Sequence, residues 1–237
     1  MELLDSPARQ PFSSSPLPLA SRAGVYGRRV WLRLRLWMRD KRPAARRALD
    51  IVASAFGLVL VAPVLLLAIA ALKIESRGPA FFFQERVGRA GRSFRMIKLR
   101  SMYADAERRK AALAKLGGGV RFKMRRDPRV TTVGRFVRKY SIDELPQLFN
   151  VLRGDMTLIG PRPAIWSEVN LYDTRALRRL EVPQGLTCLW QVGGRSDLSF
   201  EKQVDLDLQF IDAVDGPGEL TILLRTIPAV LTGRGAY

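Results

Sequence analysis

The longest apolar run of the sequence extends from residue 49 to residue 72 and contains only two polar residues, Asp50 and Ser54, both near its start. A helix of that length, at about 1.5 Å per residue, is long enough to span a hydrocarbon core of about 30 Å. Pro63 lies near its middle, where it removes one backbone hydrogen bond and disfavours helical geometry at the preceding residue. We therefore predict a re-entrant membrane hairpin over residues 49–72, broken at Pro63. The alternatives are a full crossing and a buried core helix.

Basic residues flank this run on both sides. Residues 28–48 mix arginine and lysine with Trp and Leu, a composition typical of a segment at a membrane surface, although a solvated basic arm is the alternative. Further basic residues follow between residues 73 and 100, so a full crossing would place one cluster outside, against the positive-inside tendency. This distribution favours the hairpin. Residues 1–27 are rich in Ser and Pro and predict a disordered tail.

Beyond residue 73 the pattern predicts a compact domain of mixed character, extending to residue 237. The fold class is α+β: a mostly helical domain with short strands, anchored by the hairpin. Gly and Pro positions mark the ends of several elements, and Pro228 predicts a kink or an end in the last helix. Strands are predicted at 80–83 and 94–99, and helices at 104–116, 143–152, 171–180, 198–211 and 220–231.

Composition restricts the chemistry. The chain contains no histidine and one cysteine, Cys188, which excludes histidine general bases, Ser-His-Asp triads, intramolecular disulfides and cysteine-cluster zinc sites. Catalysis would have to use carboxylates, cations, hydroxyls and a hard, oxygen-liganded cation such as Mg²⁺. Forty Lys and Arg against 22 Asp and Glu give a net charge of +18. This excess predicts polyanionic partners: nucleic acid, anionic lipid or phosphorylated substrates.

The adjacent carboxylates Asp143 and Glu144 are the first candidate site. Ser141 followed three residues later by Glu144 has the spacing of a capping box, so a purely structural helix start is one interpretation. The functional interpretation uses the same helix N-terminus, which lowers a carboxylate pKa and attracts phosphate oxygens. On that hypothesis Asp143 is ionised and directed at a phosphorus atom, while Glu144 binds a divalent cation.

Cations surround this pair in the sequence. Arg162 lies between two prolines, which restrict its backbone and preorganise its guanidinium for an anion, unless the segment is only a rigid turn. Lys98 and Arg100 alternate with apolar residues, so on a strand both face one side. A solvated edge strand is the alternative there. The candidate phosphate-binding residues are Lys98, Arg100, Arg129, Arg138 and Arg162.

In their order along the chain, these segments resemble the bacterial sugar transferase family, the monotopic polyprenyl-phosphate sugar-1-phosphate transferases in their minimal form. The similarity covers residues 41–237 and includes Asp50 and the apolar segment with Pro63. The matching segments are FFQERVG at 82–88, KLRSM at 98–102, DPRVT at 127–131, RKYSIDELPQLFNVL at 138–152, GDMTLIGPRP at 154–163 and GRGAY at 233–237.

The resemblance implies a re-entrant hairpin in the bacterial inner membrane and a catalytic domain facing the cytoplasm. It implies transfer of a sugar-1-phosphate from a nucleoside-diphosphate sugar, with UDP-hexose expected, to polyprenyl (undecaprenyl) phosphate, initiating exopolysaccharide or other surface glycan synthesis. By position Asp143 would be the nucleophile of a covalent intermediate and Glu144 would bind Mg²⁺. Arg100, Arg138 and Arg162 fall where the family has phosphate-contacting cations.

A competing hypothesis is a non-catalytic basic membrane scaffold or a nucleic-acid-binding protein. Either would use the positive charge, and nucleic-acid binding would weaken steeply with salt. Neither explains why Asp143 and Glu144 lie inside a cluster of cations, so we expect no nucleic-acid partner. The sequence leaves the transferred sugar undetermined and a homo-oligomer open.

Overall fold

A computed structural model describes residues 44–106, 127–194, 197–213 and 216–233 of the 237. The predicted tail, residues 28–43 of the basic segment and most of the helix predicted at 104–116 lie outside the described residues. Within them, helices and short strands alternate as the α+β prediction expects. The helices are α1 (Ala44–Glu75), α2 (Thr132–Lys139), α3 (Gln147–Arg153), α4 (Trp166–Val169), α5 (Thr174–Leu177), α6 (Leu189–Gly193), α7 (Phe200–Ala213) and α8 (Gly216–Thr232). The strands are β1 (Phe81–Val87), β2 (Ser93–Leu99), β3 (Thr157–Ile159) and β4 (Gly185–Thr187), and 3-10 turns cover Arg89–Gly91, Ile142–Glu144 and Arg178–Leu180.

The apolar run forms one helix, α1, which is longer than the predicted segment at 49–72 and continues through Pro63. Pro63 therefore does not end the helix, and the re-entrant path stays a prediction, since an interior proline that removes one backbone hydrogen bond can bend a helix without ending it. By length and composition α1 is able to cross a membrane, and only 6% of its most apolar stretch is buried against the rest of the chain. Its large exposed side chains include Val52, Phe56, Val59, Leu60, Leu66 and Leu67.

Polar contacts attach both ends of α1 to the remainder of the fold. Near its start, Arg47 donates to the last carbonyls of α3 at 2.6 and 2.7 Å. One turn later the buried Asp50 carboxylate accepts from Thr157 Oγ1 at 2.8 Å and from the Leu158 backbone N–H at 3.1 Å. At the other end the carboxylate of Glu75 accepts from the first two N–H groups of α2, at 2.6 and 2.9 Å. The two ends of one apolar helix thus contact the same domain.

β1 and β2 form an antiparallel hairpin in which Phe82 is opposite Lys98 and Arg86 is opposite Phe94. Asn150 of α3, which is fully buried, fixes the hairpin against that helix. Its side chain accepts from the Ile97 N–H at 3.0 Å and donates to the Arg95 carbonyl at 2.8 Å. Because α3 follows the Ile142–Glu144 turn along the chain, the hairpin lies beside the predicted carboxylate pair.

One hydrophobic core cluster joins α1 to the rest of the fold. Side chains from β2, α3, β3, α7 and α8 form its buried part, and Ala53, Leu58 and Val61 of α1 pack against it. β3 and β4 pair in parallel, with Thr157 beside Gly185. This pair positions the chain that leaves β3 and carries Arg162.

Candidate active site

Asp143 and Glu144 lie in a 3-10 turn and not at the start of an α-helix. Pro146 explains the difference: it has no N–H to donate to the Ile142 carbonyl, which accepts instead from the Leu145 N–H at 3.3 Å. Ser141 has a left-handed backbone, with φ of 54°, and its side chain makes no cap. The capping-box interpretation is therefore wrong, and α3 begins only at Gln147.

Glu144 is held between two cations. Its Oε1 accepts from Lys98 Nζ at 2.8 Å and from Arg162 at 2.5 Å, while Oε2 accepts from the other amino group of Arg162 at 3.2 Å. Burial alone raises the pKa of this carboxyl, but Arg162 and Lys98 outweigh burial, and the net pKa lies well below its usual range. Glu144 therefore stays charged throughout the physiological range.

Asp143 differs from its neighbour. It is 8% exposed, and its carboxylate has no hydrogen-bond partner among the described residues. Burial, followed by the negative charge of Glu144, raises the pKa of Asp143 to about 6, although Lys98, Arg138 and Arg162 act in the opposite direction. The predicted lowering of this pKa is wrong because burial and the charge of Glu144 outweigh the cations, and Asp143 lies in a 3-10 turn ahead of α3. At neutral pH the ionised form still outnumbers the acid by about ten to one.

Hydrogen bonds to backbone carbonyls on both sides of Arg162 hold the segment that carries it. The Pro161 carbonyl accepts from the Gly185 N–H at 2.9 Å, and the Pro163 carbonyl accepts from Arg86 at 3.0 Å. Gly160 is required here, since a Cβ on it would lie 2.6 Å from the Pro183 carbonyl oxygen.

These contacts fix the backbone from which the Arg162 guanidinium projects. The charge of Glu144 raises the pKa of Arg162, so its cation is permanent. The Arg162 side chain is 28% exposed, so a ligand can reach part of it.

Arg138 reaches the carboxylates from α2. Its Nε donates to Ser101 Oγ at 2.7 Å. Burial and then the charge of Arg129 lower the pKa of Arg138, whereas Asp143 and Glu144 raise it, so the guanidinium lies within electrostatic range of both carboxylates. Lys98, Arg138 and Arg162 are therefore the predicted cations that the fold brings together around Asp143 and Glu144.

Arg100 and Arg129 have other partners. Arg100 donates to the carbonyls of Ser76 and Arg77 just beyond α1, at 2.8 Å each. Arg129 forms a bidentate pair with Asp127, with contacts of 2.7 to 3.1 Å. These contacts give both arginines a structural role, and their binding of substrate phosphate stays a prediction.

Sequence reasoning missed Arg86, which reaches the same group of residues from β1. Burial, followed by the charge of Arg162, lowers the pKa of Arg86 to about 10, and Glu168 and Glu144 act in the opposite direction. The residue belongs to the FFQERVG segment at 82–88, but its proximity to Arg162 follows from the hairpin register and from the Pro163 contact. Neither can be deduced from the sequence.

A metal ion bound by protein side chains alone has no site among the residues that the structure describes. They contain no group of three or more His, Cys, Asp or Glu side chains able to hold one. Any divalent cation near Glu144 would need further ligands, and substrate phosphates are the usual source for Mg²⁺.

Comparison with known proteins gives a family match for most of the chain. The family model described as bacterial sugar transferase matches residues 41–233. The chain is 38% identical over 199 residues to the exopolysaccharide production protein ExoY of Rhizobium meliloti, covering 81% of this chain and 88% of that protein. It is 42% identical over 200 residues to the UDP-glucose:undecaprenyl-phosphate glucose-1-phosphate transferase of Caulobacter vibrioides, covering 81% and 72% respectively.

Other relatives are much longer than the matched region. The chain is 43% identical over 195 residues to the galactosyl transferase CpsE of Streptococcus agalactiae, and the match covers 81% of this chain but 43% of CpsE. The chain thus spans less than half the length of that relative.

Proposed function

Because the chain belongs to the bacterial sugar transferase family, we propose that it transfers a sugar-1-phosphate from a UDP-hexose to undecaprenyl phosphate. It is a phosphoglycosyl transferase, and the product would initiate exopolysaccharide or another surface glycan. Two relatives support the proposal by the activities in their names: the UDP-glucose:undecaprenyl-phosphate glucose-1-phosphate transferase of Caulobacter vibrioides and the undecaprenyl-phosphate galactose phosphotransferase of Salmonella typhimurium. The sugar transferred by this chain is left to experiment.

The observation that carries the mechanism is the placement of Asp143. Its carboxylate has no hydrogen-bond partner among the described residues, yet it lies in the field of Lys98, Arg138 and Arg162. An ionised carboxylate without hydrogen bonds is a better nucleophile than one whose lone pairs are engaged. The surrounding cations allow a doubly charged diphosphate to approach it.

The reaction then has two displacements at one phosphorus atom. An Asp143 carboxylate oxygen attacks the phosphorus that bears the sugar, and the bond from that phosphorus to the bridging oxygen breaks. The nucleoside monophosphate leaves with the bonding electrons, and a glycosyl-phosphoryl aspartate remains. A phosphate oxygen of the polyprenyl phosphate attacks the same phosphorus and releases Asp143 as the carboxylate. Neither step requires a proton transfer, which suits a chain without histidine.

Three cations supply the electrostatic stabilisation in this scheme. Arg162 is fixed by its backbone contacts, Lys98 by the hairpin and Arg138 by α2. Preorganised donors stabilise charge that develops on phosphoryl oxygens without reorganising during the reaction. They would do so in both displacements, since both proceed at the same phosphorus.

We also propose that Mg²⁺ binds at Glu144 together with the donor diphosphate. Mg²⁺ is commonly held by one or two carboxylates plus substrate phosphates, and the Glu144 carboxylate fits that donor set. The oxygens of Glu144 retain lone pairs beyond those used by Lys98 and Arg162. When bound, the ion would neutralise phosphate charge.

For the membrane we propose that α1 enters and leaves on the cytoplasmic face of the inner membrane. Both of its ends contact the same domain, through Asp50 at the start and Glu75 at the end. A straight crossing would separate those ends by the thickness of the bilayer. This path keeps the catalytic domain in the cytoplasm, where nucleotide sugars are available, and beside the lipid acceptor.

The deciding experiment is a panel of UDP-sugars with undecaprenyl phosphate and Mg²⁺, scored by release of UMP. Asp143→Asn should lower turnover by about a factor of 1,000 or more, because the amide cannot form the covalent intermediate. Asp205→Asn is the matched control: it removes an α7 carboxylate from an exposed ion pair with Arg175 of α5 and should leave turnover unchanged.

The covalent intermediate can be trapped separately. Incubation with donor labelled in the sugar, without acceptor, should label the wild-type protein and the Asp205→Asn variant but not Asp143→Asn. Substantial turnover by Asp143→Asn would overturn the nucleophile assignment. Absence of UMP release with every donor, from folded wild-type protein, would overturn the proposed function.

A further inference from the structure

Arg86 lies on the same face of the β1–β2 hairpin as Lys98. Residues directly opposite in an antiparallel pair share a face, and so do residues two apart along a strand. Phe82 is opposite Lys98, and Arg86 is four residues further along the strand from Phe82. At about 3.3 Å per residue, the two cations are separated by about 13 Å along the hairpin. Arg162 contacts the same Glu144 carboxylate as Lys98, and its neighbour Pro163 accepts from Arg86.

The contacts of Arg86 are with the segment that carries Arg162. One amino group donates to the Pro163 carbonyl at 3.0 Å, and the other donates to Gln84 Oε1 at 2.6 Å. The Val87 N–H continues the attachment by donating to the Ala164 carbonyl at 2.8 Å. The Arg86 side chain therefore holds the backbone directly after Arg162.

The choice of arginine at this position is not explained by that hydrogen bond alone. A neutral amide would also donate to a carbonyl, without placing a second guanidinium near Arg162. The two like charges repel, and burial together with this repulsion lowers the pKa of Arg86 to about 10. Its Nε is also buried and has no hydrogen-bond partner within the described part of the chain. A bound anion would offset the repulsion and make a like-charged pair favourable.

We propose that Arg86 is a positioning residue for the transfer reaction, acting through Arg162. By holding the Pro163 carbonyl it fixes the direction in which the Arg162 guanidinium projects, and with it the place where the donor diphosphate binds. This inference rests on the proposed function, because it requires a diphosphate ligand. It assigns no bond-making step to Arg86.

The test compares Arg86→Met and Arg86→Lys with Arg95→Met, a control on the same hairpin. Arg95 is opposite Glu85, on the other face, with its guanidinium 5.6 Å from the Phe83 ring centroid. Each full-length variant is assayed for UMP release, and UDP affinity is measured by calorimetry. Arg86→Met should lower kcat/KM by about 100-fold, as expected for a displaced substrate-binding group, and UDP affinity by about tenfold. Arg95→Met should match the wild type.

A double-mutant cycle separates positioning from general structural support. If Arg86 acts through Arg162, Arg86→Met should change UDP affinity by less than about twofold once Arg162→Met is present. Losses that add in the double variant, or full activity of Arg86→Met, would overturn the inference.

If Arg86→Met fails to fold, Arg86→Lys is the variant that tests the inference. Lysine keeps the charge but lacks the fork that contacts Gln84 and the Pro163 carbonyl together, so it should remain impaired. Wild-type activity of Arg86→Lys would show that charge suffices and would also overturn the inference. These outcomes differ from failure of the proposed function, in which the wild-type protein itself releases no UMP.

Discussion

The protonation state of Asp143 depends on a balance between burial and neighbouring cations. Burial and the charge of Glu144 favour the neutral acid, whereas Lys98, Arg138 and Arg162 favour the carboxylate. A nucleophilic carboxylate has to be ionised, so the pH at which this balance changes should appear in the kinetics.

We predict that kcat/KM for the donor rises with pH through about 6 and then reaches a plateau. The group is active when deprotonated, so its raised pKa places an acidic limb in the profile and activity is lost as pH falls. Arg138→Met removes a charge that lowers this pKa, so the limb should move to higher pH. Profiles measured between about pH 5 and 8 test both points. The control is Arg175→Met, which removes an exposed arginine paired with Asp205 and should not move the limb. A flat profile, or a limb unmoved by Arg138→Met, would contradict the assignment.

The sequence predicts the members of this site better than their environment. Residue types and spacing nominate Asp143, Glu144, Arg138 and Arg162, and the fold brings these together. The raised pKa of Asp143 could not be predicted, because it arises from burial by segments that are distant along the chain. Arg86 was missed for the same reason, since its partner Pro163 is 77 residues away.

Some helices and strands begin and end close to the positions that the residue pattern predicts. The helix predicted at 198–211 is present as Phe200–Ala213, and the strand predicted at 94–99 is present as Ser93–Leu99. The helix predicted at 171–180 is divided into Thr174–Leu177 and a 3-10 turn. Pro228 lies inside α8 and does not end that helix. Both Pro63 and Pro228 show that one lost backbone bond does not end a helix held by packing on its other turns.

The attachment of α1 to β3 depends on a buried carboxylate. Asp50 is 5% exposed and accepts from Thr157 and from the Leu158 backbone. We predict that Asp50→Ala lowers the free energy of unfolding by about 2 kcal/mol, because two buried donors lose their partner.

Thermal unfolding in detergent measures this change as a lower Tm. Asp205→Ala is the control, since its exposed ion pair with Arg175 should contribute less than about 1 kcal/mol. An Asp50→Ala variant as stable as the control would show that the Asp50 hydrogen bonds do not contribute to the attachment of α1.

At the scale of the whole molecule, charge and helix path support one orientation. The chain carries a net charge of +18, and its basic residues flank α1 on both sides. Both ends of α1 contact the domain that holds Asp143 and Arg162, while large apolar side chains along the helix remain exposed. If α1 enters the membrane as proposed, a domain attached to both of its ends has to stay on one side of the bilayer.

We predict that single cysteines at both ends of α1 react only from the cytoplasmic side. Ala45 and Arg77 are exposed positions next to the two ends, suitable for Ala45→Cys and Arg77→Cys. The native Cys188 should not react with a maleimide, because it is 1% exposed and burial raises the pKa of its thiol well above the usual value.

A membrane-impermeant maleimide added to intact spheroplasts should leave both variants unlabelled, and the same reagent should label both in permeabilised cells. Asp205→Cys, on the exposed surface of α7, controls for access to the domain. Labelling of one end from outside would establish a full crossing and exclude the re-entrant path, because the two ends would then lie on opposite faces of the membrane.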